Sequence, residues 1–216
     1  MRRLLCLAAA ATSLAGLIGA TPAPAVRGEI DKVGAIIARS KLTRETYAVY
    51  FWNRMPHPGQ RPTEEWSAEF NAGSLHRVET PRDRVIADCA AHTGTHLSLA
   101  TGAIVSGPQV AGVACGINTN RQFLAAEALG RVRTRFGGAD RVRVTDAENI
   151  RTYDISDQGI ILRTLFDTND ARHLRVLDVE TVAVSHRLPG AGMFDEASLK
   201  KSFVPDAFKL APRTPR

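Results

Sequence analysis

Residues 131–144 read RVRTRFGGADRVRV, and this stretch sets the class of fold. Arginine alternates with smaller or apolar residues on both sides of Gly137-Gly138, which is the pattern of two strands joined by a tight turn. The pattern predicts an antiparallel hairpin whose arginines form a basic outer face. The residues predicted on that face are Arg131, Arg133, Arg135, Arg141 and Arg143.

Further strands are predicted on both sides of this hairpin. They are runs of β-branched, aromatic and apolar residues, separated by turns rich in glycine, proline, asparagine and aspartate. Such a series predicts a mostly antiparallel sheet. The predicted strands lie within residues 46–52, 66–70, 75–79, 84–89, 150–155, 160–166 and 174–186, with several short strands within residues 94–116.

Helices are predicted at a few points along the series. Ile30, Val33 and Ile37 recur at helical spacing, which predicts an N-terminal amphipathic helix that packs one face on the sheet. Residues 123–129 have high helix propensity and predict a second, short helix. Asp195 is predicted to cap a third helix. The elements together indicate an α+β fold.

The amino terminus has the pattern of a secretory signal peptide. Two arginines precede an apolar run over residues 4–20, and Ala25 ends a small-residue cleavage site. We expect cleavage after Ala25 and export to the periplasm or the medium. An uncleaved membrane anchor is the alternative, because the run is near the minimum length of a spanning helix. The domain organisation is then a signal peptide at 1–25, a single domain at 26–205 and a flexible C-terminal tail at 206–216.

Composition limits the classes of partner. Removal of residues 1–25 leaves 26 of the 28 basic residues against 22 acidic ones, a net charge of 26 − 22 = +4. The charge is spread along the chain without a zinc-finger spacing or a concentrated basic helix, so we expect no nucleic-acid partner. Moderate basicity is compatible with peripheral contact with an anionic membrane surface.

Two cysteines, Cys89 and Cys115, remain after the predicted cleavage. In an oxidising compartment a disulfide is their natural pairing, and the loop that it closes corresponds to about 3 kcal/mol in the chain-entropy model. Free buried thiols are the main alternative.

Aromatic residues are concentrated early in the domain. Six of the 13 aromatic residues of the chain fall within residues 47–70. A packed core explains this concentration, and so does a curved sheet whose aromatic side chains line an apolar cleft for an acyl chain. The residues predicted to line such a cleft are Tyr47, Tyr50, Trp52, Trp66 and Phe70.

Motifs for catalysis are weak. Asp88, His92 and His96 are close in sequence, but the Thr-Gly-Thr between the histidines favours a turn over a helical zinc site. Glu64, Glu65 and Glu69 lie near Trp66, as the paired carboxylates of a glycosidase could, but Glu65 and Glu69 alternate with apolar residues as on the polar face of a strand. The sequence contains no nucleophile elbow, phosphate-binding loop or dinucleotide fingerprint. We therefore expect a non-enzymatic protein with no catalytic residue, metal or cofactor.

The order of the elements resembles that of the Lol-type periplasmic lipoprotein carriers. A signal peptide, an amphipathic helix, antiparallel strands, a short helix and a final meander that includes YDISDQG at residues 153–159 follow one another. The resemblance implies a strongly curved sheet or half-barrel that helices close over an apolar cavity. It covers residues 27–189. The cysteines lie in the central strands rather than near the carboxyl terminus, and no motif matches residue by residue, so we transfer no functional residues.

Three functional hypotheses follow. The first is an exported protein that binds a lipid or a lipoprotein acyl chain in an apolar cleft. The second is an interaction or assembly protein of the cell envelope that binds envelope proteins through its basic strand face. The third is a metal-dependent hydrolase with its site near Asp88, His92 and His96.

Overall fold

The computed structural model describes residues 24–41, 45–117 and 123–210. Residues 1–23 hold most of the predicted signal peptide and lie outside these ranges, as does the end of the predicted tail at 211–216. None of the helices within the described ranges is long and apolar enough to span a membrane.

A single sheet of eleven antiparallel strands forms the body of the protein. Its strands are β1 (Thr46–Met55), β2 (Thr63–Ala72), β3 (Leu75–Glu79), β4 (Asp83–Asp88), β5 (Thr93–Ser98), β6 (Ile104–Ser106), β7 (Ala125–Thr134), β8 (Gly137–Thr145), β9 (Asn149–Ser156), β10 (Ile161–Thr168) and β11 (Arg175–Ser185). The sheet consists of two meanders, β1 to β6 and β7 to β11, which meet where β1 pairs with β11. The prediction of a mostly antiparallel α+β fold is confirmed.

Two helices, α1 (Pro24–Lys41) and α2 (Pro108–Ala114), lie on the same side of the curved sheet, which we call the inner face. Val33 and Ile37 of α1 pack against Val142 of β8 and Tyr153 of β9. Helix α2 lies over β4 and β5 at the other end of the sheet. The two helices therefore flank the inner face and leave its centre uncovered.

Helix α2 stands where the sequence predicted only short strands. The chain leaves β6 through Gly107, whose φ of 140° is open to glycine but strained for other residues, and Pro108 occupies the first turn of the helix. Proline is favoured there because its missing N–H would have no intrahelical partner. Gly94 of β5 lets the helix approach closely, since a Cβ atom at this position would lie 3.0 Å from the backbone nitrogen of Ala111.

The short helix predicted over residues 123–129 is wrong, because β7 runs through this segment. Ala126 and Ala128 pair with Val144 and Val142 of β8. Both alanines also pack against the cluster that contains Val33 of α1. Pairing within the predicted hairpin and packing under α1 therefore outweigh the local helix propensity of this segment.

The outer face of β1 and β2 is covered by the C-terminal segment (residues 188–208). Met193 and Val204 of this segment pack against Tyr50 and Phe70, and Phe208 stacks on Tyr50 with ring centroids 4.2 Å apart. In place of the helix predicted after Asp195, the segment contains the short 3₁₀ helices Glu196–Ser198 and Asp206–Phe208. Residues 206–208, assigned to a flexible tail by the sequence, are thus docked on the sheet.

Two buried side chains of β3 hold the C-terminal segment. Arg77 and Glu79 are both fully buried, and Arg77 Nε donates to Glu79 Oε1 at 2.8 Å. The guanidinium also donates to the carbonyl oxygens of Met193 and Lys201 at 2.6 and 2.7 Å. Glu79 accepts from the backbone N–H of Phe203 at 3.0 Å. Because a buried charge is stable only when it is paired and hydrogen-bonded, this network fixes the segment to the sheet.

Candidate functional site

A cavity of about 470 Å³ opens on the inner face between the two helices. This volume lies within the range of about 300 to 1,000 Å³ that ligand sites occupy. Strands from both meanders line it, together with the end of α2, so the curvature of the sheet creates the cavity. The lining residues are Phe51, Asn53, Ser67, Glu69, Val78, Thr80, Val113, Gly116, Ile117, Asp146, Asn149, Arg151, Tyr153, Ile161, Thr164, Phe166 and Val179.

Strand alternation selects the residues that reach the cavity. Phe51 and Asn53 of β1 line it, whereas Tyr50 and Trp52 lie on the opposite face of the same strand. The neighbouring strands follow the same register: Asn53 pairs with Val179 of β11, which is also a lining residue. One face of β1 therefore contributes to the cavity and the other to the core beneath the C-terminal segment.

The apolar wall of the cavity is built around Tyr153 and Phe166. The two rings meet edge to face with centroids 6.5 Å apart, a favourable arrangement for aromatic pairs. Tyr153 is buried, and this burial raises the pKa of its phenol above the ordinary value. Val78, Ile161 and Val179 extend the wall. Such a surface suits an aliphatic or aromatic group.

Charged groups occur at two places in the cavity wall. Arg151 and Asp146 form a buried ion pair with Nη2 and Oδ2 2.8 Å apart, and Asp146 Oδ1 also accepts from the backbone N–H of Asn149 at 2.8 Å. On the opposite wall, the Glu69 carboxylate lies 3.7 Å from His76 Nε2, beyond hydrogen-bonding distance. Burial, and next the charge of Glu69, raise the pKa of Tyr47 above its ordinary value.

A disulfide holds the end of α2 over the cavity. Cys89 follows β4, Cys115 follows α2, and their Cα atoms are 5.7 Å apart. The adjoining residues Gly116 and Ile117 line the cavity. The disulfide expected from the sequence is thus present, and it fixes one wall of the candidate site.

The structure divides the five aromatic residues that the sequence assigned to an apolar cleft. Tyr50, Trp66 and Phe70 belong to the cluster beneath the C-terminal segment, and Trp52 shares their face of the sheet. None of these four residues lines the inner cavity. Tyr47 lies on the inner face in a cluster with Phe51, but Phe51 is the one that reaches the cavity wall. Alternation thus places Tyr47 on the inner face of the sheet and the other four aromatic residues on the outer face, and their binding of a ligand stays a prediction.

The five arginines that the sequence assigned to a basic outer face, in the hairpin of β7 and β8, do not share one face. Arg131 lies directly opposite Asp140 across the hairpin, whereas Arg141, the next residue after Asp140, lies on the other face. Both are paired: Arg131 with Asp157 at 2.5 Å and Arg141 with Asp154 at 2.7 Å. The contact with Asp157 raises the pKa of Arg131 and lowers that of the carboxyl.

The two histidines near Asp88 lie in different local structures. His92 is in the turn between β4 and β5 with a φ of 53°, and His96 in β5 contacts Asp83 Oδ1 at 2.8 Å. Asp88 Oδ1 accepts from the backbone N–H groups of Ala90 and Ala91, and these bonds lower its pKa. Within the described ranges, no group of three or more histidine, cysteine, aspartate or glutamate residues is arranged to hold a metal ion.

The sequence matches no family model and no curated protein. Solved structures with similar folds are known. An uncharacterised conserved protein from Thermus thermophilus is 14% identical, with a TM-score of 0.50 over 85% of this chain and 99% of its own. This likeness concerns the fold alone.

The similar structures include a LolA superfamily protein from Nitrosomonas europaea, which is 8% identical, with a TM-score of 0.42 over 77% of this chain and 99% of its own. MucB is 12% identical, with a TM-score of 0.48 over 75% of this chain and 61% of its own. The Lol-type proteins that the order of elements resembles are thus represented among them.

Several cavity residues were missed at the sequence level. Arg151, Tyr153 and Phe166 lie in the second meander, more than 80 positions after the aromatic cluster of the first. Their alternation along β9 and β10 was visible, but nothing local indicates that the two meanders curve toward each other.

Proposed function

We propose that this protein is an exported, non-enzymatic protein that binds a hydrophobic ligand, a lipid or an acyl chain, in the inner cavity. The observation that carries the proposal is the aromatic and aliphatic wall of that cavity, built from Phe51, Tyr153, Phe166 and Val179. A concave apolar surface with a few polar groups is the usual form of a small-molecule site. The same function is implied by the resemblance to the Lol-type carriers.

Export is supported by the sequence of residues 1–25 and by the disulfide between Cys89 and Cys115, since disulfides persist mainly in oxidising compartments. The proposed site of action is therefore the periplasm or the cell surroundings. The ion pairs of Arg131 and Arg141 occupy those guanidinium groups within the protein, so we do not propose the hairpin as a binding surface.

The test is saturable binding of the fluorescent apolar probe phenylnaphthylamine to the mature protein, with and without a blocked cavity. Val179→Trp places an indole in the apolar wall and should weaken binding by about tenfold or more, because the ligand and the new ring compete for one volume. Val176→Trp is the matched control on the same strand, since Val176 is exposed and lies outside the cavity.

Circular dichroism establishes that both variants are folded before binding is compared. Equal affinity in Val179→Trp and in the parent protein would rule out the inner cavity as the site. Absence of saturable probe binding to the parent protein would remove the proposed function altogether.

A further inference from the structure

We propose that the inner cavity selects uncharged amphiphiles, acyl chains joined to a neutral head group through an ester or amide, and discriminates against anionic ones such as free fatty acids. The inference rests on the proposed function and adds a class of head group to it. Charge and hydrogen-bonding capacity of the cavity wall carry the inference.

The described residues of the wall include two carboxylates and one guanidinium. Glu69, Asp146 and Arg151 are its acidic and basic side chains. Arg151 and Asp146 compensate each other in their buried ion pair, with side chains 5% exposed. Within the described ranges, neither lysine nor arginine comes within 4 Å of the Glu69 carboxylate, and the nearest basic group is His76 at 3.7 Å. An anionic head group would therefore meet the Glu69 carboxylate, which has no lysine or arginine partner among the described residues.

Hydrogen-bonding groups in the wall are otherwise neutral. Asn53, Ser67, Asn149 and Thr164 line the cavity beside its apolar surface. Their amides and hydroxyls both donate and accept, which suits ester, amide and hydroxyl groups. These residues supply polar contacts to a head group without adding a positive charge that would hold a carboxylate.

The test compares laurate with its glycerol monoester, which share one acyl chain and differ in head-group charge. Each ligand displaces phenylnaphthylamine from the mature protein at pH 8, below its micelle concentration. Repulsion by one carboxylate in a partly desolvated cavity should make the dissociation constant of laurate about tenfold larger than that of the monoester.

The variant Glu69→Gln removes the charge and keeps the shape, and we expect it to reduce this ratio by about fivefold with little change for the monoester. Glu64→Gln is the matched control on the same strand, because the Glu64 carboxylate is exposed, bonded to Arg54 at 2.7 Å and absent from the cavity wall. Ser67→Asp, which adds a carboxylate to the wall, should increase the ratio and provides a second measurement if Glu69→Gln does not fold.

Two outcomes overturn the inference and leave the proposed function standing. One is a ratio of the laurate to the monoester dissociation constant below about three in the parent protein; the other is a ratio that neither Glu69→Gln nor Ser67→Asp changes by more than about twofold. Failure of both ligands and of the probe to bind removes the proposed function and this inference together. A larger ratio that falls in Glu69→Gln or rises in Ser67→Asp supports the inference.

Discussion

Replacement of Arg77 by methionine should destabilise the protein by about 3 to 5 kcal/mol, which is the usual cost of removing one partner from a buried ion pair. The guanidinium is fully buried and donates to Glu79, to Ser198 Oγ and to the carbonyl oxygens of Met193 and Lys201. In Arg77→Met these groups lose their donor, and the Glu79 carboxylate loses its closest cation.

The loss is a large part of the total. A domain of this size has a free energy of unfolding of about 5 to 15 kcal/mol. At about 2 to 4 °C per kcal/mol, the expected fall in melting temperature is on the order of 10 °C. Arg84 remains beside Glu79 in this variant, with its Nε atom 3.3 Å from Glu79 Oε2. Because its positive charge still balances part of the Glu79 charge, the expected loss of stability is smaller than for a buried carboxylate with no cation nearby.

Urea unfolding followed by circular dichroism measures the change in the free energy of unfolding. Arg82→Met is the matched control: this arginine also pairs with a glutamate, Glu65, but its side chain is 62% exposed, so the expected cost is below about 1 kcal/mol. The double variant Arg77→Met, Glu79→Leu should cost less than the sum of the two single variants, since it removes both charges.

A loss in Arg77→Met no larger than that in Arg82→Met would refute the assignment of this network as the anchor of the C-terminal segment. Limited proteolysis gives an independent readout, because a released segment becomes accessible to cleavage between residues 188 and 208. Probe binding should survive, since the network lies on the face of the sheet opposite the cavity.

Two further predictions concern stability. Replacement of Cys89 and Cys115 by serine should reduce the free energy of unfolding by about 3 kcal/mol, because the disulfide spans 26 positions; equal urea midpoints for the variant and the oxidised parent would contradict this. Burial raises the pKa of all three tyrosines, Tyr47, Tyr50 and Tyr153. Their protonated forms therefore favour the folded state, a contribution that is complete below pH 10 and is lost as the pH rises through the folded-state pKa values. Phenolate absorbance of the folded protein should then appear only above the pH at which the urea-unfolded protein titrates, and coincident titration curves would refute the assignment.

Local sequence patterns predicted the elements whose stability is local. The hairpin of β7 and β8 formed as expected because alternation acts over a few positions. Its turn lies at Arg135 and Phe136 rather than at the two glycines, since Gly137 and Gly138 pair with Thr134 and Arg133 as the first residues of β8. The disulfide of Cys89 and Cys115 followed from composition and compartment. The helix predicted over residues 123–129 does not form. Pairing with β8 and packing under α1 decide the structure of this segment, and local helix propensity takes no account of either.

The candidate site was less predictable, because it depends on which face of each strand is the inner one. Alternation along residues 47–53 separates Tyr50 and Trp52 from Phe51, but both faces are buried and look alike in sequence. The C-terminal segment covers one face and the cavity lies on the other. Only the tertiary arrangement of residues 188–208 distinguishes them.

The central strand pair has a consequence for the order in which the chain acquires its structure. Ala48 lies opposite Ser185, so the strand pairing that joins the two meanders brings together residues from opposite ends of the domain. A contact at such separation closes a very long loop and slows folding. Until β11 has been synthesised, β1 lacks one of its two neighbouring strands and the two meanders cannot pair into one sheet. Under the export that we propose, the pairing of β1 with β11 would form only after nearly the whole domain had crossed the membrane.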